Sequence, residues 1–298
     1  MNIVIIANPE SGNGKAIKNA QALEDHIKQK GVKVSIHKTL CRGDGERLAK
    51  VAVKNNASHI IACGGDGTVN EIINGIKSAA TDNNTPTLAL LPSGRCNNFW
   101  KELNAPSNPK HLYNLLSSGQ SKKVDLGTIN DRYFATIAAL GFDSAIAEFV
   151  DEKRGPAFLK GTASYIYALI ATLPKFKFPI VSINGDIDSF REQVLLVAIG
   201  NTASYGGNFS ITPCAKPNDG LLDVCIVRKI SKLEILKVLP KVFSGKHVTH
   251  PSVSIENIKS IIVDSKTPMW IWADGERIMT VPATIKVEPS AINVVLQG

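Results

Sequence analysis

The sequence is poor in the residues that staple small secreted domains. It has five cysteines, Cys41, Cys63, Cys96, Cys214 and Cys225, an odd number without a C-x-x-C pair, which argues against a disulfide framework and a zinc ribbon. Aromatic residues make up only 6%, and no basic-aromatic motif appears, so nucleic acid is not an expected partner. No run approaches the ~18 apolar residues of a membrane span. The longest candidate, Tyr165 to Leu173, is framed by Lys160 and Lys175 and is suited at most to lying in a membrane surface. The start, Met1-Asn2-Ile3-Val4-Ile5-Ile6-Ala7-Asn8-Pro9, lacks the basic segment and the long apolar run of a secretory signal. A cytoplasmic protein with reduced thiols is expected.

Common catalytic signatures are missing as well. A Walker A loop needs Gly where Pro9 stands and Ser or Thr where Ala16 stands. A dinucleotide G-x-G-x-x-G needs Gly at position 17, which is Ile17. Neither G-x-S-x-G nor H-E-x-x-H occurs, and the six histidines carry no ligand pattern. His247-x-x-His250 lies in a polar stretch and reads as solvated.

What is present is a chain of 298 residues, a length that suggests two domains. Lys+Arg 34 against Asp+Glu 26 gives a net charge of +8, which draws anionic partners such as phosphates or acidic lipid surfaces. The first 105 or so residues alternate strand and helix. Ile3 to Ala7 is a continuous apolar run, as in a strand covered on both faces. A helix follows over 15–30, a strand through Val32, Val34 and Ile36, a helix over 46–54, a strand over 60–63, a helix over 69–76 and a strand over 88–91. This rhythm predicts a parallel sheet with crossover helices. Beyond Val124 the pattern becomes short strands with polar turns: 124–129 with 133–138, 180–187 with 193–199, then 222–227, 260–263, 269–272, 285–287 and 292–296. Such a series predicts an antiparallel sandwich or barrel, interrupted by helices near 158–173 and 231–243. The expected division is 1–123, with the tail 288–298 free to return to it, and 124–287.

The polar and glycine clusters of the first half fall just after its strands. They are Asn8-Pro9-Glu10-Ser11-Gly12-Asn13-Gly14-Lys15, the exit at Thr39, Gly64-Gly65-Asp66-Gly67-Thr68-Val69-Asn70, and Pro92-Ser93-Gly94-Arg95. Ligands bind open α/β sheets beyond the carboxyl ends of the strands, and Gly-rich turns feeding helix N-termini suit phosphates. A carboxylate after two glycines, Asp66, suits organising Mg2+ or accepting a hydroxyl proton. Asp274-Gly275-Glu276 offers two more carboxylates, although Asp-Gly is also a common hairpin turn. Residue types do not rank Asp66, Asp274 and Glu276 as the base.

These segments, with Pro213-x-Ala215-x4-Asp219-Gly220-Leu221-Leu222-Asp223 downstream, resemble the diacylglycerol kinase catalytic-domain family, specifically its bacterial soluble lipid kinases. The likeness runs through nearly the whole chain in the same order. It implies an α/β N-terminal domain like those of phosphofructokinase and NAD kinase, and a C-terminal antiparallel β-sandwich. It implies an ATP- and Mg2+-dependent kinase acting on the hydroxyl of diacylglycerol or a similar lipid alcohol, peripheral to a membrane. Nucleotide would lie between the domains, held by Asn8, Pro9, Glu10, Ser11, Gly12, Thr39, Gly64, Gly65, Asp66, Gly67, Thr68, Val69 and Asn70. Glu276 corresponds to the proton acceptor. A structural Mg2+ maps to the Asp219 carboxylate with backbone oxygens of Lys216 and Leu221. The lipid at its membrane surface is the implied partner; a homodimer stays open.

Two positions depart from the family pattern. Arg95 stands in place of a hydroxyl, and Asn98 in place of a carboxylate. Arg beside a triphosphate is a charge clamp, which adds Arg95 to the nucleotide set. The rivals are an NAD kinase-like enzyme, which shares Gly-Gly-Asp-Gly-Thr, and a non-catalytic lipid- or nucleotide-binding relative. Toward the lipid, Phe158, Leu159, Tyr165, Ile166, Leu169, Ile170 and Leu173 follow helical spacing among Lys153, Arg154, Lys160, Lys175 and Lys177.

Overall fold

The computed structural model describes residues 1–81, 84–152, 154–156, 162–206 and 208–297. It divides into two compact units, Met1–Val124 with the C-terminal residues from Ser290 on, and Asp125–Pro289.

The first unit runs β1 (Asn2–Ala7), α1 (Lys15–Gln29), β2 (Lys33–Lys38), α2 (Asp44–Lys54), β3 (His59–Gly64), α3 (Asp66–Ala79), β4 (Thr87–Pro92), α4 (Asn98–Glu102) and α5 (Pro109–Ser118). The four strands pair in parallel in the order β4-β3-β1-β2. Every residue from Ile3 to Ala7 is buried, as the continuous apolar run requires. Ile3, Ile5 and Ala7 pack with Ala16, Ala20, Leu23 and Ile27 of α1 and Leu112, Leu115 and Leu116 of α5. The buried positions of α1 recur every three or four residues, so one stripe of that helix faces the sheet. Right-handed crossovers put α1 on one face and α2 and α3 on the other.

The second unit is entered along β5 (Lys122–Ile129) and continues with β6 (Arg132–Phe134), β7 (Ile137–Gly141), α6 (Phe142–Asp151), α7 (Thr162–Thr172), β8 (Ile180–Gly185), β9 (Phe190–Gly200), β10 (Leu222–Arg228), α8 (Lys232–Val242), β11 (Val253–Ile258), β12 (Ser260–Ser265), β13 (Trp270–Ala273), β14 (Glu276–Thr280) and β15 (Ala283–Val294). One sheet has the order β14-β13-β7-β9-β10-β11; the other joins β9, β8, β12 and β15, with β5 and β6 beyond. The long β9 serves both, pairing β8 through residues 190–193 and β7 through residues 196–200. Pairings within this unit are antiparallel, so the antiparallel sandwich expected from the strand series is what forms. Strand alternation splits its apolar residues between two cores. Ala138, Leu140, Val224 and Ile226 point between the sheets. Ile137, Ala139, Cys225 and Val227 point outward, where they are covered by Phe142 and Ile146 of α6, Ala168 and Leu169 of α7 and Ile235 of α8.

Two local expectations are corrected, and one helix that was not expected is added. Residues 285–287 and 292–296 are not two strands: β15 runs from Ala283 to Val294, crossing Ser290 at a φ of 52°. A helix over 142–151 follows β7 without any polar break, which is why strand periodicity did not announce it. Of the helix expected near 158–173, Thr162–Thr172 is helical, while Lys153, Phe158, Leu159 and Lys160 lie outside the described residues. His247 is 1% exposed rather than solvated: its Nε2 donates to the Ile211 carbonyl at 3.1 Å, and burial pushes the imidazole pKa down. All five cysteines are free thiols.

Candidate active site

In an open parallel sheet the ligand crevice lies where the strand order reverses. In β4-β3-β1-β2 that reversal falls between β1 and β3, so the loops leaving these strands flank it. The first two N–H groups of α1 are taken by the Gly12 and Ser11 carbonyls. Helix α3 begins at Asp66 directly behind Gly64-Gly65 and has no side-chain cap. The positive end of its dipole suits an anion there.

The loops are tied to one another. Asn8 N donates to the Cys63 carbonyl at 3.0 Å and Asn8 Nδ2 to Thr68 Oγ1 at 3.3 Å, joining the β1 and β3 exits. Glu10 N and Ser11 N close a turn on Asn8 Oδ1 and O. Ser93 N and Gly94 N both donate to Gly64 O, at 2.9 and 3.1 Å. Gly65 and Gly94 meet backbone to backbone: a Cβ on Gly94 would lie 2.4 Å from Gly65 Cα, so a side chain would wedge the β3 and β4 exits apart. Thr39 is buried, and its N–H donates to Ala7 O at 3.0 Å. Behind it, Glu71 of α3 accepts from Gly43 N at 2.7 Å and Gly45 N at 2.8 Å. Asp44 Oδ2 accepts from Leu40 N at 2.7 Å, a bond that, with Arg47, holds its carboxyl below the usual carboxylate range.

Asp66 accepts from Phe99 N at 3.2 Å and from Asn98 Nδ2 at 3.3 Å. A carboxylate at position 98 would repel Asp66, whereas the amide donates to it, so the departure from the family pattern keeps Asp66 fixed as an acceptor. Gly67 continues the first turn of α3. Val69 and Asn70 are buried within that helix, Asn70 Oδ1 accepting from Asn74 Nδ2 at 3.2 Å. Arg95 is exposed on the loop beyond Gly94. Burial and the Asp66 charge push the adjacent Cys96 thiol up, while Lys101 and Arg95 pull it down; the charges of residues 66 and 95 are thus felt at one place.

In the second unit, Asp274 and Gly275 form the β13–β14 turn with φ of 52° and 83°, as a type I′ hairpin demands. The Asp274 carboxylate is buried and accepts from Ala135 N at 2.7 Å, Thr136 N at 2.8 Å and Thr136 Oγ1 at 2.5 Å. Glu276, two residues on, opens β14 and is half-buried. The turn is therefore riveted to the β6–β7 connection, which fixes where Glu276 projects.

Lys216, Asp219 and Leu221 lie on the loop before β10. Asp219 Oδ1 accepts from Leu221 N at 3.1 Å; Gly220 N donates to Asp125 Oδ2 at 2.7 Å, and Asp125 N to Pro217 O at 2.8 Å. Asp223 Oδ1 accepts from Asn257, but its other oxygen is buried with no hydrogen-bond partner, and burial and Asp219 push this carboxyl up. An orphaned buried oxygen beside an all-oxygen donor set fits a hard divalent cation such as Mg2+. Among the described residues no cluster of three or more His, Cys, Asp or Glu forms a metal site; a set of one carboxylate and two carbonyls does not require one.

The second unit also has an open apolar cavity of about 90 Å3 beneath α6, α7 and α8. Its walls include Ile146, Leu169, Leu195, Ile230, Ile235 and Leu239. Asp143, Tyr165, Tyr205 and His247 are the titratable residues of its lining. Tyr205 OH donates to Asp143 Oδ1 at 2.5 Å. Burial pushes the Asp143 carboxyl up to about 6, against the lowering effect of that bond. Sequence reading missed this pair: Asp143 and Tyr205 are 62 residues apart, and neither belongs to a motif.

Comparison with known proteins gives a consistent result. Residues 2–129 match the diacylglycerol kinase catalytic domain, and residues 136–296 match the YegS C-terminal NAD kinase beta sandwich-like domain. A diacylglycerol kinase of Mycobacterium tuberculosis is 30% identical over 299 residues, covering 98% of this chain and 94% of that protein. One from Staphylococcus haemolyticus is 33% identical over 282 residues, covering 94% and 83%. The crystal structure of a diacylglycerol kinase from Bacillus anthracis str. Sterne superposes with a TM-score of 0.77 at 23% identity, covering 99% of this chain and 97% of that one; at that identity the likeness speaks for the fold. With the phosphate-type loops at the strand switch point and the sandwich that follows, the chain belongs to the diacylglycerol kinase family of enzymes.

Proposed function

We propose that this protein transfers the terminal phosphoryl group of ATP to the hydroxyl of diacylglycerol or a similar lipid alcohol. The observation that carries the reading is the apolar cavity of the second unit. Walls of Leu, Ile and Val suit an acyl chain and offer an NAD molecule almost no polar partner; this favours a lipid acceptor over NAD, although both kinase classes share Gly64-Gly65-Asp66-Gly67-Thr68.

In this reading the first unit holds the nucleotide. Gly64-Gly65 and the start of α3 approach the phosphates through backbone N–H groups, with Asn8 to Gly12 and Thr39 alongside and Arg95 as a charge clamp. Asp66 is the carboxylate at the phosphate end, oriented by Phe99 N and Asn98. Mg2+, when bound with ATP, neutralises charge on the phosphates. Glu276 accepts the proton of the lipid hydroxyl. Asp274 has three donors on its carboxylate, which engage it with Ala135 and Thr136; its role is to position Glu276. The ion suited to Asp219, Lys216 and Leu221 is structural and holds the loop before β10. The protein works at the surface where its lipid resides.

The test is an acceptor panel: protein, Mg2+ and ATP labelled in the γ-phosphate, with diacylglycerol, other lipid alcohols or NAD. Label is expected in a phosphorylated lipid. Label in NAD would establish the NAD kinase rival, and absence of any labelled product the non-catalytic one.

A further inference from the structure

A carboxyl group stands in the largely apolar wall of the second unit's cavity. Asp143, in the first turn of α6, accepts from Tyr205 OH through Oδ1 at 2.5 Å. Both residues line the cavity and are half-buried, so each keeps surface that a guest can touch. Among the described residues no lysine or arginine lines the cavity to neutralise the carboxylate. A charge without a partner is costly in such surroundings, and a wall that met only methylene groups would be better built with Leu at position 143. A carboxyl group displaced by burial and opening on a cleft is what a functional site presents.

The hydrogen bonds that the pair leaves open state what it can receive. Tyr205 uses its one O–H on Asp143. Asp143 Oδ2 has no hydrogen-bond partner among the described residues, and it is not sealed off from the cavity. Burial pushes the carboxyl up to about 6, so at pH 8 it is ionised and only accepts. His247 donates through Nε2 to the Ile211 carbonyl, and its buried Nδ1 is an acceptor without a partner. Three of the titratable side chains in the lining thus offer acceptors. An ester or keto oxygen brought to Oδ2 would be repelled, whereas a hydroxyl would donate to it in a charge-assisted bond. A hydroxyl also enters an apolar cavity at a lower desolvation cost than an ammonium group.

The pair does not sit beside the reacting hydroxyl. Thr136, just before β7, holds the Asp274 turn and with it Glu276. Asp143 lies past the other end of β7, a strand of 5 residues, or roughly 13 Å at about 3.3 Å per residue. A lipid whose acceptor hydroxyl is at Glu276 meets the pair partway down a chain.

We infer that Asp143 and Tyr205 determine specificity by selecting a lipid whose chain carries a hydroxyl group, which donates to Asp143 Oδ2 inside the cavity. The inference rests on the lipid-acceptor reading and names the class of lipid.

The test is calorimetric binding, at pH 8 and without nucleotide, of dispersed diacylglycerols. One chain carries a hydroxyl, a keto group or no substituent at the same carbon, and that carbon is moved along the chain from one set to the next. At the best position the wild type should bind the hydroxyl lipid roughly 10–100-fold more tightly than the keto lipid, the range of a hydrogen bond to a charged group. Asp143→Asn presents an amide that donates to either oxygen, so the preference should vanish. Asp143→Leu with Tyr205→Phe makes both partners apolar, an exchange that folds tolerate, and should bind the unsubstituted lipid best. Thermal melts check that the variants fold; if the double variant does not, Asp143→Asn decides alone. Hydroxyl and keto lipids bound alike by the wild type at every position, or a hydroxyl preference that survives Asp143→Asn, would overturn the inference. Transfer of γ-label to unsubstituted diacylglycerol is read separately on the wild type: a hydroxyl preference without phosphorylation would refute the kinase reading and leave Asp143 and Tyr205 as lipid-selecting residues.

Discussion

The buried carboxyl of Asp143 gives this structure a stability signature that depends on pH. Asp143 lines the cavity at the first turn of α6, its Oδ1 accepting from Tyr205 OH at 2.5 Å. Its pKa rises from 3.8 to about 6 because burial disfavours the charged form. The folded chain therefore holds a proton that the unfolded chain releases at lower pH. The resulting stabilisation is fully present below 3.8 and is lost as pH rises through about 6. Above that, keeping Asp143 ionised and buried costs about 3 kcal/mol, at ~1.36 kcal/mol per pH unit between the two values. The groups around it, Tyr205, Tyr165, His247 and Cys225, supply no compensating cation: the tyrosine pKa is raised and the imidazole pKa lowered. Asp143→Asn retains a carbonyl oxygen for Tyr205 and removes the ionisable group. At pH 8 the variant should be more stable than the wild type by up to ~3 kcal/mol, which for a unit of this size is a rise of roughly 6–12 °C in Tm. At pH 4 the two should melt together. Thermal melts of both proteins from pH 4 to pH 8 measure the difference. Parallel curves, with the same gap at every pH, would refute the reasoning.

Other perturbations probe other parts of the molecule. Gly94→Ala pushes a Cβ against Gly65 Cα, where backbone rather than a flexible side chain must yield; it should cost about 1–3 kcal/mol and weaken ATP binding measured by calorimetry. Asp274→Ala leaves the Ala135 and Thr136 N–H groups buried without an acceptor, so urea titration should show a loss of about 2–5 kcal/mol, and activity should fall through misplacement of Glu276. Asp219→Ala should remove any rise in Tm that Mg2+ gives the wild type without nucleotide; a variant that melts normally, with the same response to Mg2+, yet is inactive would make the residue catalytic instead of structural.

The parts of the fold that announced themselves share one property: local spacing forces burial. Ile3 to Ala7 has no polar residue to turn toward water, so a strand covered on both faces was the available answer, and the polar-glycine clusters after such strands pointed to the crevice between β1 and β3. The helix over 142–151 escaped because it leaves β7 with no turn residue between them. Residues 288–290, Glu-Pro-Ser, read as a break within what is a single strand. His247 looked solvated because its sequence neighbours are polar; the space that buries it is walled by residues from several distant elements. The same holds at the site. Glu71 supports the loop at Gly43 from 28 positions away, and Thr136 holds Asp274 from 138. Such supports are set by topology, and no motif spacing encodes them. Asn98 is the reverse case: the sequence shows the lost carboxylate, but only the structure shows its amide donating to Asp66.

The central claim is transfer of the ATP γ-phosphoryl group to a lipid hydroxyl with Glu276 as proton acceptor. It is tested most directly by following γ-labelled ATP into diacylglycerol with the wild type and with Glu276→Gln, whose side chain opens a strand and is half-buried. The account predicts a labelled phosphorylated lipid from the wild type and a rate lower by about a hundredfold or more from the variant, as loss of a general base commonly gives, with both proteins melting alike. Equal rates, or label that never enters the lipid, would contradict it.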